Sequence, residues 1–322
     1  MLAFEPMDFG PLLGAVRGRG TIGGTLAANA SGPRRIKAGG ARDHILGINA
    51  VSGRGEAFKS GGRVVKNVTG YDLSKVMAGS WGTLAVVTDV TFKVLPRSEA
   101  SATLVVAGLG DAAAVDALCQ AMGTPWEVSG AAHLPDAVAA EVPDAAFASG
   151  GRAATLVRLE GIPASVDYRA EKLTGLLGRL GQVAVLEGEA SDTLWRAIRD
   201  AEAFGASSSP VWRVSVAPDT GPSVIAALTG RHAIRHYYDW SGGLIWIDVE
   251  DGGEDGLARE IRMAVATAGG GHATLMRATP ALRSAIAPFE PQPEALAALS
   301  RRLKAQFDPN NILNPGRMAA GA

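Results

Sequence analysis

A pattern of strand, helix and strand recurs along the chain between Ala100 and Pro280, and this repetition constrains the fold class most strongly. The segments ATLVVAG, TLVRLEG and VWRVSVAP are apolar runs of strand length, and each precedes a segment with helical spacing. In the first such helix, apolar residues recur at intervals of three and four from Val115 to Met122, before Gly123 ends it. Strands that alternate with helices in this way predict one α+β domain with helices packed on a single sheet.

Before Pro96 the chain has a different character, because glycine-rich turns separate short segments. The run TLAVVTDVTFKVLP, from Thr83 to Pro96, alternates apolar and polar residues and predicts a half-buried strand. The residues expected on its buried face are Leu84, Val86, Thr88, Val90, Phe92 and Val94.

A last helix is predicted from Pro293 to Gln306, followed by the turn-rich FDPNNILNPGRM. The changes in pattern divide the sequence into a first domain, 1–98, a second domain, 99–290, and a C-terminal segment, 291–322.

The composition excludes several classes of protein. With 322 residues, of which 47% are hydrophobic and 20% charged, the chain is typical of a globular protein of about two domains. No apolar run approaches the roughly 18 residues of a membrane span, and Met1 opens no signal-peptide pattern. The single cysteine, Cys119, rules out an internal disulfide, and no Cys or His cluster could hold zinc or an iron–sulfur cluster. We therefore predict no metal and expect an organic cofactor for any redox chemistry.

The charge is unevenly distributed. Residues 1–97 carry 13 Lys and Arg against 6 Asp and Glu (net +7), and the rest carries 18 against 26 (net −8). The basic residues are scattered, without interleaved aromatic residues, so the pattern favours a small anionic ligand over nucleic acid.

The stretch GTIGGTLAANASG, Gly20 to Gly32, has Ile22 and Leu26 as its only large apolar side chains. Glycine permits positive φ and lacks Cβ, so the backbone N–H groups of a loop at Gly23–Gly24 can approach a flat or charged ligand. A helix starting within Thr25 to Asn29 would point its N-terminus at that ligand. A plain tight turn is the alternative interpretation. Neither G-x-G-x-x-G after a strand nor G-x-x-x-x-G-K-[ST] is present, so a nicotinamide fingerprint and a P-loop are not supported.

A second glycine-rich turn, Gly79 to Thr83, follows a short helix predicted around Asp72 to Met77. A helix C-cap at Gly79 explains this turn by itself. Two such turns in the basic part of the chain favour a ligand site.

Taken together, Gly20 to Gly32, NVTGYDLSKVMAGSWGTLAVVTDVTFKVLP and the terminal FDPNNILNPGR resemble the FAD-binding fold of vanillyl-alcohol oxidase relatives, and above all the FAD-binding subunits of bacterial glycolate oxidases. The segments MLAFEP, WRVSV at Trp212 and DWSGGLIWI at Asp239 extend the resemblance over nearly the whole chain. The resemblance implies an α+β fold of three parts: the second subdomain of an FAD-linked oxidase FAD-binding domain, an α+β cap or substrate domain, and a C-terminal segment that returns to the flavin domain.

The resemblance also implies which residues hold FAD. In such proteins the loop matched by Gly23 to Thr25 passes the flavin and its phosphates, and Asn314 matches a residue that returns near the flavin. The implied cofactor-binding residues are Gly20, Gly23, Gly24, Thr25, Asn29, Ser31, Gly32, Gly82, Thr83, Val86 and Asn314.

The sequence departs from the family pattern in two ways. In the family, a further subdomain precedes MLAFEP and holds the loop that grips the FAD pyrophosphate. We therefore expect either a truncated gene model that starts at an internal methionine or a protein that lacks half of its cofactor cradle. Glutamate is common where Trp81 stands, and glycine where Ala85 stands, and we expect both changes to crowd or alter the flavin side.

Oxidation of a 2-hydroxy acid needs a cation for the carboxylate, a base for the hydroxyl proton and the flavin as hydride acceptor. Arg213 and Arg277 are the candidates for the cation. His272, at a glycine-rich turn that enters a strand, is the candidate base, with a purely structural role as the alternative. We interpret His232 and His236 as packing residues.

The resemblance therefore implies an FAD-dependent oxidoreductase subunit that oxidises glycolate or a similar small 2-hydroxy acid to the 2-oxo acid. The implied partners are a second flavin subunit and an iron–sulfur subunit that takes the electrons. The expected location is the cytoplasm, or the periphery of the inner membrane through the complex. The alternative is a non-catalytic assembly subunit that keeps the fold without turnover.

Overall fold

The computed structural model describes residues 1–65 and 70–319. Residues 66–69, the KNVT that begins the second motif, and residues 320–322 lie outside the described residues. The strands are β1 Ile45–Ser52, β2 Ala57–Gly61, β3 Ala85–Phe92, β4 Ala100–Ala107, β5 Gly130–Leu134, β6 Ala154–Gly161, β7 Val183–Glu187, β8 Val211–Ser215, β9 Ile234–Asp239, β10 Leu244–Val249 and β11 His272–Arg277. The α-helices are α1 Ile22–Ala27, α2 Arg35–Ala38, α3 Ala41–His44, α4 Leu73–Met77, α5 Asp111–Met122, α6 Asp136–Ala139, α7 Pro143–Ser149, α8 Pro163–Leu177, α9 Gly188–Arg199, α10 Gly221–Thr229, α11 Ala258–Thr267, α12 Pro280–Ala285 and α13 Glu294–Phe307.

The first part of the chain forms a small antiparallel sheet in the order β2-β1-β3, with α1 and α4 packed against it. Its core includes Leu26 of α1, Ile48 of β1, Met77 of α4 and Leu84. Burial of these side chains is the main force that holds the two short helices in place, because helices of five or six residues are unstable alone.

Helix α1 begins earlier than the sequence predicts. Its N-cap is Thr21, whose Oγ1 accepts a hydrogen bond from the Gly24 backbone N–H at 3.0 Å. Gly23 and Gly24 therefore lie in the first turn of the helix, and the predicted loop at these residues and helix start within Thr25 to Asn29 are wrong. The threonine cap outweighs the low helix propensity of the two glycines.

The predicted alternation along β3 is interrupted. The register of β3 against β1 shifts between Val87 and Asp89, so Thr88 is an extra residue that forms a β-bulge. Val87 packs against the core before the bulge and Val90 packs against it afterwards, because the bulge reverses the parity. The prediction is right for Leu84, Val90 and Phe92. It is wrong for Val86, Thr88 and Val94, whose side chains are exposed.

Among the described residues, the second part forms an eight-stranded sheet in the order β11-β8-β10-β9-β5-β6-β4-β7, in which neighbouring strands pair antiparallel. The predicted single sheet with packed helices is present. Residues of α5, α8, α10 and α11 cover one face, whereas residues of α7, α9 and the N-terminal segment share a core with the other. Helix α8 ends at Leu177, before Leu180, which is exposed.

The N-terminal segment, residues 1–21, packs between the first part of the chain and this sheet. Phe4 and Leu12 are fully buried. The Arg158 guanidinium of β6, itself buried, donates two hydrogen bonds of 2.9 Å to the Glu5 carboxylate. Because losing one partner would leave a buried charge unpaired, this bidentate pair fixes the position of the segment. Within the described residues, no helix has the length and apolar character that a membrane span requires.

Candidate functional site

A cavity of about 920 Å³ lies where four parts of the chain meet. They are α1, the turn from Gly79 to Thr83 (the Trp81 turn), β11, and the residues that follow α13 (the C-terminal tail). Cofactor and ligand cavities usually have volumes of roughly 300–1,000 Å³. The side of the cavity formed by α1 carries only small side chains, those of Gly24, Thr25, Ala27 and Ala28. Trp81 and Phe289 line it as well, with their rings 5.5 Å apart in an edge-to-face contact. The cavity therefore combines bare backbone with aromatic surface.

The glycines at this wall leave space that a side chain would fill. Gly20 lines the cavity, and a methyl group added to it would meet no atom within 4 Å. A methyl group at Gly24 would meet only the Thr21 hydroxyl, at 3.2 Å. Gly23 also has free space around it but does not line the cavity. Gly20 and Gly24 thus form a cradle of the kind that a flat cofactor needs.

Two arginines in the cavity lining, Arg283 and Arg317, supply positive charge to its wall. The Arg317 guanidinium lies 4.7 Å from the centre of the Trp81 ring, and Arg283 donates to the Met276 carbonyl at 2.7 Å. Burial and the neighbouring charge of Arg283 lower the pKa of Arg317. In the described part of the chain, neither arginine pairs with a carboxylate. This wall is suited to an anionic group such as a pyrophosphate.

The C-terminal tail returns to the Trp81 turn. The Asn314 side-chain amide donates to the Trp81 carbonyl at 2.8 Å, and Lys304 Nζ donates to the Thr83 carbonyl at 2.8 Å. Gly82 has φ of +70°, and a methyl group there would lie 2.7 Å from Asn314 Nδ2. The turn therefore requires glycine both for its conformation and for the close approach of Asn314.

A buried carboxylate holds the tail in this position. Asp308 is 1% exposed and accepts hydrogen bonds from Lys304 Nζ and from the backbone N–H groups of Ile312 and Leu313. Although burial alone would raise it, these hydrogen bonds lower the pKa of Asp308. A methyl group at Gly53 would lie 2.2 Å from the Asp308 carboxylate, so this glycine is needed for the contact.

The structure brings together only some of the predicted cofactor residues. Gly20, Gly24, Thr25 and Asn314 line the cavity. The other predicted residues do not line the cavity. They are Gly23, Asn29, Ser31, Gly32, Gly82, Thr83 and Val86. All of them except Gly23 have other contacts within the chain or are exposed elsewhere.

Packing accounts for several of these positions. A methyl group at Gly32 would lie 2.2 Å from the Glu5 carbonyl oxygen, so glycine here admits the N-terminal segment. The Asn29 side chain accepts a hydrogen bond from the Arg42 backbone N–H at 2.9 Å. Of the two departures from the family pattern, Trp81 does line the cavity, whereas Ala85 is buried in the core and does not.

Arg213 and His272 lie on the same face of the large sheet. Arg213 of β8 pairs with Thr274 of β11, and His272 pairs with Ser215, so the two side chains are diagonal neighbours on adjacent strands. Diagonal neighbours in a sheet are roughly 7–8 Å apart. Thr274 lines the cavity, which places this pair beside the cavity wall.

Arg213 has the properties of an anion-binding residue. Its guanidinium lies 4.8 Å from the centre of the Trp240 ring and, among the described residues, has no carboxylate partner. Burial and the nearby charge of Arg35 lower its pKa to about 10, so the side chain stays charged at neutral pH. A partly buried arginine without an acidic partner is therefore suited to pair with the carboxylate of a ligand.

Arg277, the other candidate cation, has a structural role. Its guanidinium donates to the carbonyl oxygens of Leu12, Phe204 and Ser209 at 2.6–3.0 Å and lies 3.4 Å from Asp248. These contacts occupy its donors, so the alternative that Arg277 binds the substrate is not supported.

His272 is favoured as a base by its surroundings. Partial burial and the positive charges of Arg213 and Arg35 lower its pKa, against the opposing effect of Glu290. A lowered pKa keeps the imidazole neutral and able to accept a proton near pH 7. His236, by contrast, lies on the opposite face of the sheet and contacts Asp111 at 2.8 Å, in accord with a packing role.

Comparison with known proteins identifies the family. The family described as "FAD linked oxidases, C-terminal domain" matches residues 284–318, the segment that contains the tail. The chain is also 32% identical to the glycolate oxidase subunit GlcE of Escherichia coli (strain K12), over 99% of its own length and 76% of that protein. The chain belongs to the FAD-linked oxidase family.

Further similarities agree with this assignment. The chain is 26% identical to the glycolate oxidase subunit GlcD of Bacillus subtilis (strain 168), over 93% of its own length and 68% of that protein. Its fold is similar to that of p-cresol methylhydroxylase, with a TM-score of 0.68 and 15% identity, over 92% of this chain and 68% of the other. The predicted α+β fold of an FAD-linked oxidase is confirmed, and FAD is the cofactor of this family.

Sequence reasoning missed several residues of this FAD-linked oxidase site. Arg283 and Arg317 line the cavity, and Arg35 lies beside Trp240. The doublet Arg34–Arg35 directly after the glycine-rich stretch was a usable signal for an anion site. No local pattern distinguishes Arg283 or Arg317 from ordinary surface arginines, because the cavity that they line is formed by segments far apart in the sequence.

Asp239 makes the stability of this region depend on pH. It is 2% exposed, and burial raises its pKa to about 7 although Arg158 and Arg213 lie nearby. The folded state therefore binds a proton that the unfolded state releases above its ordinary pKa of 3.8, and stability falls as the pH rises from about 4 to about 7. Asp239→Asn removes this loss and keeps the oxygen that accepts the Trp240 backbone N–H.

We expect Asp239→Asn to gain roughly 2–3 kcal/mol of unfolding free energy relative to the unsubstituted chain between pH 5 and pH 8. Urea unfolding at the two pH values measures this difference. Asp251→Asn, at an exposed position, serves as the control. An equal pH dependence in all three proteins would show that Asp239 is ionised in the folded state.

Proposed function

We propose that this chain is the FAD-binding subunit of a glycolate oxidase or dehydrogenase and oxidises glycolate, or a similar small 2-hydroxy acid, to the 2-oxo acid. The observation that carries the proposal is the position of Arg213 and His272 on one sheet face, beside the wall of the glycine-lined cavity. Relatives named as glycolate oxidase subunits, a D-lactate dehydrogenase and a D-2-hydroxyglutarate dehydrogenase support the substrate class.

Each residue has a defined task in this reaction. Arg213 binds the substrate carboxylate and thereby orients the carbon that carries the hydroxyl group. The neutral His272 imidazole accepts the hydroxyl proton, while the hydride leaves that carbon and its C–O single bond becomes a carbonyl. When bound, FAD supplies the hydride acceptor. The residues suited to hold FAD are Gly20, Gly24, Thr25 and Asn314, with Arg283 and Arg317 for its phosphates.

Two glycine variants test the cofactor site. Gly20→Leu fills space at the cavity wall, so we expect it to weaken FAD binding by at least roughly tenfold through steric exclusion. Gly23→Leu is the matched control, because that glycine also has open space around it but lies off the cavity. Titration of each protein with FAD, followed by flavin absorbance, gives the dissociation constants. Equal constants for the two variants would place FAD elsewhere.

We further propose that the chain works in a complex with a second flavin subunit and an iron–sulfur subunit that receives the electrons. The names of its relatives, which are subunits of glycolate oxidase, support a multi-subunit assembly. Helix α13 also leaves Leu296, Leu299 and Leu303 exposed at helical spacing, which favours contact with another chain.

The exposed leucines equally support the second candidate function, a non-catalytic assembly subunit. The FAD titration separates the two. A chain that binds no FAD even as the unsubstituted protein would favour assembly without turnover.

A further inference from the structure

Trp81 lines the cavity and has a fixed backbone conformation. Its φ is +52°, a left-handed conformation that costs free energy in a bulky residue and persists only where the surrounding structure enforces it. The Trp81 backbone N–H donates to the Ala27 carbonyl at 2.9 Å, and the Trp81 carbonyl accepts from the Asn314 side-chain amide at 2.8 Å. Helix α1 and the C-terminal tail therefore hold this residue from both sides of its backbone.

The Trp81 side chain is held as well, by two further contacts. Phe289 packs against the indole ring edge-to-face, with the ring centres 5.5 Å apart, and the Arg317 guanidinium lies 4.7 Å from the centre of the indole ring. Trp81 is nevertheless only partly buried and belongs to the cavity lining. An aromatic surface that is fixed beforehand binds a planar ligand with little loss of conformational freedom.

Phe289 also relates Trp81 to strand β11. The preceding residue, Pro288, accepts a hydrogen bond from the Leu275 backbone N–H of β11 at 2.7 Å. Thr274, next to Leu275, lines the same cavity and lies on the sheet face of the residues proposed to bind the substrate. A hydride acceptor must lie close to the substrate carbon. The flavin half of FAD, rather than its adenine, is therefore expected in the part of the cavity between Trp81 and β11.

We propose that Trp81 is a cofactor-contact residue whose indole ring packs against the flavin ring of FAD. This inference rests on the proposed function for the presence of FAD in the cavity and for the place of its flavin half. Indole is an electron-rich aromatic ring and oxidised flavin an electron-poor one, so contact between the two is favourable. Glutamate is common at this position in the family, so the contact is a property of this chain and not of the family pattern.

Flavin fluorescence tests the contact without turnover, because an indole in contact with a flavin quenches its emission. We expect FAD bound to Trp81→Phe to emit more brightly, and with a longer lifetime, than FAD bound to the unsubstituted chain. Trp81→Phe keeps an aromatic ring, so its dissociation constant for FAD should stay within about threefold of that of the unsubstituted chain. Trp81→Leu removes the aromatic ring and should weaken FAD binding by roughly three- to tenfold.

Trp126→Phe is the matched control. Trp126 packs against the hydrophobic cluster of α5 and α8 and does not line the cavity. This variant should therefore change neither the emission of bound FAD nor its dissociation constant. Urea unfolding midpoints equal to that of the unsubstituted chain show that the variants are folded.

The outcomes separate this inference from the proposed function. If Trp81→Phe leaves the emission of bound FAD unchanged while Gly20→Leu weakens FAD binding, the cofactor site stands and the flavin contact is wrong. A weaker affinity in Trp81→Leu without any change of emission in Trp81→Phe also overturns the inference, because the indole then contacts another part of FAD. An unsubstituted chain that binds no FAD overturns both proposals. Brighter emission in Trp81→Phe but not in Trp126→Phe supports the contact, whether or not the chain oxidises glycolate.

Discussion

Replacing Arg213 by glutamine is expected to lower kcat/KM for glycolate on the order of 100-fold, because the substrate carboxylate loses its charged partner. Most of the loss should appear as a higher KM, since the guanidinium contacts a group that does not change during the reaction. Initial rates of the FAD-loaded chain with an artificial electron acceptor measure both constants. Arg213→Lys should recover part of the loss, because it restores the charge but not the bidentate geometry.

The same substitution has a second expected effect, on His272. Removing a nearby positive charge raises the pKa of that imidazole, because Arg213 is one of the groups that lower it. The acidic limb of the kcat/KM profile should therefore move to higher pH in Arg213→Gln. Arg179→Gln, at an exposed arginine, serves as the control. A loss of activity in Arg213→Gln no greater than in Arg179→Gln, with an unshifted profile, would remove Arg213 and His272 from the site.

Replacing Asp308 by alanine is expected to lower the free energy of unfolding by about 3 kcal/mol, because Lys304 would lose its buried partner. The tail would lose three hydrogen bonds at once, and with them the contact that positions Asn314 at the Trp81 turn. FAD binding should weaken in parallel. Urea unfolding gives the change in stability, and titration with FAD gives the change in affinity.

The effect of Asp308→Ala should depend on pH in a defined direction. The pKa of Asp308 is lowered in the folded protein, so its contribution to stability is complete above its ordinary value of 3.8 and is lost as the pH falls below it. The difference between Asp308→Ala and the unsubstituted chain should therefore shrink in acid. Asp251→Ala, an exposed aspartate, should match the unsubstituted chain at every pH. A destabilisation by Asp308→Ala that is the same at pH 3 and pH 7 would mean that packing, not charge, holds the tail.

These two predictions concern two different regions next to one cavity. Arg213 belongs to the large sheet, and Asp308 belongs to the tail that closes the Trp81 turn. The first variant should change substrate binding and leave stability nearly unaltered, whereas the second should change stability and cofactor binding together. Measuring both properties in both variants therefore tests whether the two regions have separate tasks.

Local periodicity predicted several elements of the large sheet. Strands β4, β6 and β8 and helix α5 were expected from apolar spacing, since one face of each element must be buried, whereas β5 was not. The errors occur where a single residue overrides the pattern. Thr21 caps α1 and starts it early, and the bulge at Thr88 reverses the buried face of β3. Neither feature has a periodic signature, because each depends on one hydrogen bond or one extra residue.

The sequence by itself determined the fold class, the family resemblance and the glycine-lined wall, because small side chains and alternating apolar residues act through near neighbours. Only the tertiary structure distinguished Arg213 from Arg277. The donors of Arg277 are occupied by carbonyls of Leu12 and Phe204, which are far away in the sequence. The Arg35 guanidinium likewise packs against the ring of Trp240, which lies about two hundred positions further along the chain. Whether an arginine is free to bind a ligand depends on which distant groups the fold brings to it, and residue spacing does not carry that information.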